Sequence, residues 1–302
     1  MSAEILSYAS GNISAKLEDS SKLLISDVRF TLSAGESVSL IGETGSGKTM
    51  AALSIMGLLP TNVAMSGGEI IFCGEKVEAK LMRQLLGVKL VYIPQNGAEF
   101  LNPSRKIKNH LYDSLKKLGC RRTEMFPRAL DALRAAGFDR SEAIMDKYPF
   151  QLSGGMAQRV TIAISVCSNA KLIIADEPTN GLDTNAKESF KAVLDSLFPD
   201  AAKLIITHDI SVAALCERTI VLCGGKIAEA GRTAELLSKP RHPYTQALIS
   251  ALVENGLNET PMLRSERGAC PFYRRCPKAV QSCLMQVRRQ TDGASEWWCN
   301  AE

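Results

Sequence analysis

A chain of 302 residues with 45% hydrophobic and 23% charged residues has the composition of a folded globular protein with a sizeable core, which excludes the disordered and fibrous classes. Its 36 basic and 32 acidic residues leave a net charge of +4, too mild over this length to point to nucleic acid, and no nucleic-acid partner is expected. The longest apolar runs, such as Leu172 to Ala175 and Leu204 to Ile206, fall far short of the roughly 20 residues needed to cross a bilayer. Met1 to Ser10 lacks a basic cluster ahead of an apolar stretch, so a secretory leader is not expected and a cytosolic location is.

In chain order, Ile5 to Phe30 leans to β structure with polar interruptions and predicts an antiparallel edge. Glu36 to Ile41 alternates polar and apolar residues and breaks on Gly42; Thr49 to Leu59 resumes with Met50, Leu53, Met56 and Leu59 at helical spacing. That is strand, glycine loop, helix. Val88 to Ile93 predicts another strand, closed by Pro94. From Gln95 to about Val166 the pattern turns helical, with Leu111, Leu115, Leu118, Leu130, Leu133 and Ala136 at helix-compatible offsets. Strands return at Lys171 to Ala175, Lys203 to Thr207 and Thr219 to Cys223 with helical stretches between, the alternation of a parallel sheet with crossover helices. Ala234 to Leu237 and Tyr244 to Leu252 read as short helices broken by Pro240 and Pro243. The expected organisation is a main α/β domain over 1–240, containing a helical subdomain over about 95–166, and an extension over 241–302.

Cysteine usage follows the same division. Cys73, Cys120, Cys167, Cys216 and Cys223 occur singly and are expected to be buried small hydrophobes. Cys270, Cys276, Cys283 and Cys299 crowd the end of the chain beside Trp297 and Trp298, which in a reducing compartment points to metal more than to disulfides.

Gly42 to Thr49 reads GETGSGKT, the G-x-x-x-x-G-K-[ST] pattern, between a predicted strand and a predicted helix as that motif requires. Gly42, Glu43, Thr44, Gly45, Ser46 and Gly47 would wrap an anion with backbone N–H groups and the helix N-terminus; a Cβ at Gly45 or Gly47 would hinder the approach. Lys48 would reach the β and γ phosphates of a nucleoside triphosphate, and Thr49 would give an oxygen to Mg²⁺. In Leu172 to Glu177, LIIADE, a buried strand ends in two carboxylates, and open α/β sheets bind ligands outside the carboxyl ends of their strands. Asp176 suits the magnesium shell and Glu177 a general base for an attacking water. An acidic helix N-cap ahead of Pro178 and Thr179 is the structural alternative for this pair.

The combination of GETGSGKT, Gln95, LSGGMAQR over Leu152 to Arg159, LIIADEP, Asp183 in NGLD and His208 resembles the ATPase subunit of ATP-binding cassette (ABC) transporters over roughly residues 1–235. The resemblance implies the α/β phosphate-loop NTPase fold of an ABC nucleotide-binding domain, with a parallel core sheet, an edge antiparallel β-subdomain and a helical subdomain. It implies a head-to-tail dimer that sandwiches two ATP molecules, in which Ser153, Gly154 and Gly155 at a helix N-terminus bind the γ-phosphate held by the other subunit's loop. Gln95 matches the glutamine that links the Mg²⁺ and water site to the membrane subunits. His208 matches the switch histidine that contacts the γ-phosphate and holds Glu177 and the water, and Asp183 matches the loop that crosses the dimer seam. Where the family commonly stacks an aromatic residue on adenine this chain has Leu17, with Tyr8 the only nearby aromatic.

YPFQLSGGMAQR, FLNPS, KPRHPYTQALISAL and the C-x₅-C-x₆-C-x₁₅-C spacing resemble ATPase subunits of the peptide, nickel and opine importer group, with Phe150 in place of that group's usual histidine. This implies a peripheral protein on the cytoplasmic face of the inner membrane, energising uptake of peptides, nickel or metallophores, or opines. Its partners would be a second ATPase subunit, identical or related, integral membrane permeases and, indirectly, an extracytoplasmic substrate-binding protein. In some members of the group the four cysteines bind a [4Fe-4S] cluster, and Cys270, Cys276, Cys283 and Cys299 match one by one. Four thiolates can hold either such a cluster or Zn²⁺; the spacing lacks the paired C-x₂-C knuckles of common zinc folds, which favours iron and sulfur, and the bland alternative is four reduced cysteines with no metal. Arg274, Arg275, Lys278, Arg288 and Arg289 make the tail basic and are expected to form a solvated face. The rival to a transport motor is a soluble non-transport ABC ATPase, such as an iron-sulfur assembly ATPase.

Overall fold

The computed structural model describes residues 3–18, 20–179, 184–251 and 268–301. Its centre is the strand Ser37–Ile41, buried along its whole length. The alternation of serine with Val38, Leu40 and Ile41 therefore does not mark a wet face; the hydroxyl of Ser39 is satisfied internally by Thr219 at 2.7 Å. Leu90–Ile93, Leu172–Asp176, Ala202–Thr207, Ser37–Ile41 and Arg218–Cys223 lie side by side in parallel. The last pairs antiparallel with Lys226–Arg232 through a Gly224–Gly225 turn. Each predicted strand exists, displaced by one or two residues at its ends, and the predicted helix after the glycine loop is shorter, Lys48–Ile55.

The opening segment forms antiparallel sheets, as expected. Glu4–Ala9 lies between Arg29–Ser33 and Glu69–Phe72, and Asn12–Lys16 lies between Ser21–Ser26 and Val63–Ser66. One core fills the space between these strands, the helix Lys48–Ile55 and one face of the central sheet. Leu6 and Ile13 from the opening strands, Ile55 and Met56 from the helix, and Leu172, Ile174 and Leu204 from the sheet are all buried there.

The opposite face carries the helical insertion. Ile107–Lys117 buries Ile107, Leu111 and Leu115 at four-residue spacing, and Arg122–Ala135 buries Ala129, Leu130, Ala132 and Leu133. Gly154–Val166 buries Val160, Ile162 and Ala163 against Ile93, Ile173 and Ala175 of the sheet. Each fully buried aliphatic side chain of this kind contributes roughly 1.5–3 kcal/mol, which is how a segment with little β-branched sequence stays docked on the sheet.

The extension does not stand apart from the main domain. Ser295–Trp298 pairs antiparallel with Lys226–Arg232, and Arg289–Asp292 pairs with Ser295–Trp298, so the tail supplies the last two strands of the eight-stranded sheet. The helix Pro243–Ser250 is capped by His242, whose Nδ1 accepts from the Tyr244 N–H at 2.9 Å. Burial pushes the His242 pKa down to about 4, so the ring is neutral and free to accept. A third core joins Ile41, Val221 and Leu236 to Tyr244, Phe272 and Cys270.

Candidate active site

The site forms at the carboxyl ends of the parallel strands. Gly42 leaves Ser37–Ile41 with φ +150°, and a Cβ there would lie 2.2 Å from the Leu222 carbonyl oxygen, so only glycine permits the loop to pass under the neighbouring strand. Gly47 caps the helix Lys48–Ile55 at φ +105°, where a side chain would also press on Ile25 at 3.1 Å. Lys48 is only 7% exposed. Its Nζ donates to the carbonyl oxygens of Gly42 at 2.7 Å and Glu43 at 3.1 Å, inside the loop. Burial pulls its pKa down, opposed by the carboxylates of Glu177, Asp176 and Glu43. The Ser46 hydroxyl is buried with no hydrogen-bond partner among the described residues. Among the described residues this buried ammonium is held by two carbonyls, and it and the orphaned hydroxyl suit a polyphosphate, which supplies acceptors for both.

Asp176 ends the strand Leu172–Asp176 and is 6% exposed. Burial raises its pKa, offset by a hydrogen bond from Thr49 and, at 3.4 Å, one from the Tyr92 hydroxyl. Thr49 and Asp176 thus stand together, the hard oxygen donors that Mg²⁺ prefers. Glu177 follows with φ +47°, its N–H donating to the Ile206 carbonyl at 2.8 Å. This turned backbone aims its carboxylate at the adjacent strand end: Nδ1 of His208 lies 2.8 Å from Oε1, and the Thr207 hydroxyl donates to Oε2 at 3.2 Å. The pair is therefore not a helix N-cap; Glu177 is oriented by two donors, as a base acting on water must be.

Gln95 follows the strand Leu90–Ile93 and lines a cleft of about 1200 Å³ between the sheet and the helical insertion, which Thr49, Asp176, Gly154 and Gly155 also border. Ser153 caps the helix Gly154–Val166, its hydroxyl accepting from the Met156 N–H at 3.3 Å, and Gly154 and Gly155 are exposed with open space beside them. Asp183 lies outside the described residues.

Two expectations are corrected. Tyr8 cannot stack on a base: it is 1% exposed, its hydroxyl bonds Ser54 at 2.6 Å, and its ring rests on Phe30. Leu17 is half exposed. Among the single cysteines, Cys167, Cys216 and Cys223 are buried, whereas Cys73 is exposed in a turn at φ +52° and Cys120 is partly exposed.

The tail's basic residues are not simply solvated. Arg275 makes a two-pronged pair with Glu43 of the phosphate loop at 2.8 and 2.7 Å, and Arg289 pairs with Glu296. The Glu43 N–H also donates to the Tyr244 hydroxyl at 2.9 Å. Thr207 was legible as the flank of His208, but sequence reasoning missed Tyr92, Tyr244 and Arg275 as neighbours of the site; only RHPYT carried a signal for these, and it gave no contact. Cys270, Cys276, Cys283 and Cys299 are all buried, and none is in a disulfide. Burial raises the Cys270 pKa to about 11, with the other three thiols adding to it, so the four share one neighbourhood. Among the described residues, no three such side chains close on a common point as metal ligands do.

The fold and this loop define a phosphate-loop NTPase. The family model "ABC transporter" matches residues 25–180, and "Oligopeptide/dipeptide transporter, C-terminal region" matches 228–283. Similar proteins include the oligopeptide transport ATP-binding protein AppD of Bacillus subtilis, 36% identical over 86% of this chain and 84% of its own length. OppD of Salmonella typhimurium is 34% identical over 86% and 82%. Among solved structures, the ATP-binding cassette MJ0796 bound to ADP and Pi superposes with a TM-score of 0.65 at 27% identity, over 76% of this chain and 99% of that one. The chain belongs to the ABC transporter family and is an ATP-hydrolysing subunit of it. Among the described residues no helix is long and apolar enough to cross a membrane.

Proposed function

We propose that this chain is the motor of a peptide importer, working at the cytoplasmic face of the inner membrane. The observation that carries the reading is the Glu177–His208–Thr207 arrangement beside Thr49 and Asp176, in a chain whose tail resembles the oligopeptide/dipeptide transporter C-terminal region. Gly42 to Thr49 cradle the ATP phosphates, Thr49, Asp176 and Gln95 serve Mg²⁺, and Glu177, held by His208, activates water. Ser153, Gly154 and Gly155, with Asp183, complete the site of a second ATPase subunit across a dimer seam. Closure on ATP and reopening on hydrolysis reach the permeases through the cleft at Gln95. The division into a nucleotide-binding domain over 1–240 and an extension over 241–302 is part of the same proposal.

Reconstituted with its permeases and a substrate-binding protein, the complex should hydrolyse ATP faster when peptides are supplied and should accumulate them. Stimulation by nickel chelates or opines instead of peptides would overturn the substrate assignment, and copurification in mild detergent with soluble partners and not with membrane proteins would favour the soluble ATPase.

The all-thiol donor set of Cys270, Cys276, Cys283 and Cys299 has the chemistry of a [4Fe-4S] ligand set, but as placed the thiols do not close on a common point, so a cluster would have to draw them together. Anaerobically purified protein should contain iron and acid-labile sulfide, and Cys276→Ser should lose both. Zinc alone, or no metal, would overturn the cluster.

A further inference from the structure

Glu43 is held at three points by other parts of the chain. Its carboxylate meets both prongs of Arg275, its N–H donates to Tyr244, and its carbonyl accepts from Lys48. Arg275 is itself fixed: its guanidinium lies over the Phe272 ring at 5.2 Å, and Phe272 meets Tyr244 at 5.4 Å. Phe272 and Tyr244 are buried. The turn carrying Phe272 and Arg275 is bracketed by Cys270 and Cys276, with the Cys276 N–H donating to the Phe272 carbonyl at 3.0 Å. Pro271 closes on Gly224, where a Cβ would come within 2.6 Å, and the adjoining Gly225 N–H donates to the Ser46 carbonyl at 2.9 Å.

We propose that Arg275 is a positioning residue for the phosphate loop: by neutralising Glu43 and holding it outward, the four-cysteine tail sets the affinity for ATP. The inference rests on the reading that Gly42 to Thr49 cradle ATP. Lys48 already faces three carboxylates before a triphosphate arrives. Asp176 and Glu177 have tasks in the reaction, whereas the Glu43 carboxylate, if unpaired, only repels the incoming anion. A two-pronged guanidinium removes that charge and fixes the direction in which the side chain points, which a lysine ammonium does less well. Both side chains are partly exposed, so solvent keeps the effect modest.

The test uses the full chain, with binding of a fluorescent ATP analogue and steady-state hydrolysis. Arg275→Ala should raise Kd and KM for ATP by about 3–10-fold, with kcat within about twofold of the parent. Arg275→Lys should fall between, and it covers the case in which the alanine variant does not fold. Adding Glu43→Gln to Arg275→Ala should bring KM back toward the parent, because the charge needing neutralisation is gone. A purely structural role would not give that rescue. Unchanged KM in both Arg275 variants, or failure of Glu43→Gln to rescue, would overturn the proposal. If Lys48→Ala bound ATP as the parent does, the cradle reading would fail first; loss of binding there with normal Arg275 variants would sink only this inference.

Discussion

Glu177→Gln should leave ATP binding intact and lower turnover by roughly 10² or more. The substitution keeps the shape of the side chain and does not disturb the backbone, which is anchored by the Glu177 N–H to the Ile206 carbonyl. On the proposed reading binding rests elsewhere, on Lys48, the loop amides, Thr49 and Asp176. What is lost is basicity, together with one of two acceptors: a carboxylate accepts from both His208 and Thr207, whereas an amide accepts at one end and presents a donor at the other. The water would then lack a proton acceptor while the triphosphate stays in place. Phosphate release in single-turnover conditions, with retained nucleotide measured on the same sample, checks both halves. Normal turnover would show that another group is the base.

Much of this site was legible in the sequence because its parts are local. A phosphate loop is a run of eight residues whose meaning lies in its own backbone, and strand ends such as Asp176, Glu177 and His208 follow from apolar runs that stop at polar residues. The contacts that the sequence hid join distant segments. Arg275 and Glu43 are 232 positions apart, and nothing in a basic tail marks Arg275, rather than its basic neighbours, as the side chain that reaches the loop. Tyr8 was ambiguous for a similar reason: whether an aromatic residue in an opening strand faces a ligand or the core depends on register against Arg29–Ser33, which one-residue shifts reverse. The tail's two strands were hidden too. RQTD and SEWW are short and mixed in character; SEWW becomes a strand because Lys226–Arg232 offers an edge, and RQTD then pairs on SEWW.

Lys48→Ala should have the opposite signature to Glu177→Gln, losing binding itself. The ammonium is 7% exposed and held by two carbonyls in a loop that also feels three carboxylates. With this ammonium removed, a triphosphate would enter against the charge of those carboxylates. A hydrogen bond to a charged group is worth about 1.5–3 kcal/mol, so ATP affinity should fall on the order of 10–100-fold. Lys48→Arg should not restore it, since a planar guanidinium needs more room than this buried position gives and cannot place its charge at the same point. The apo fold should survive both changes, because the core around Ile55 and Met56 is untouched. Thermal melting over a range of Mg²⁺–ATP concentrations reads this directly: the Lys48 variants should need about 10–100-fold more nucleotide than the parent or Glu177→Gln for the same stabilisation. Equal stabilisation of Lys48→Ala would mean that the triphosphate is held somewhere other than this loop.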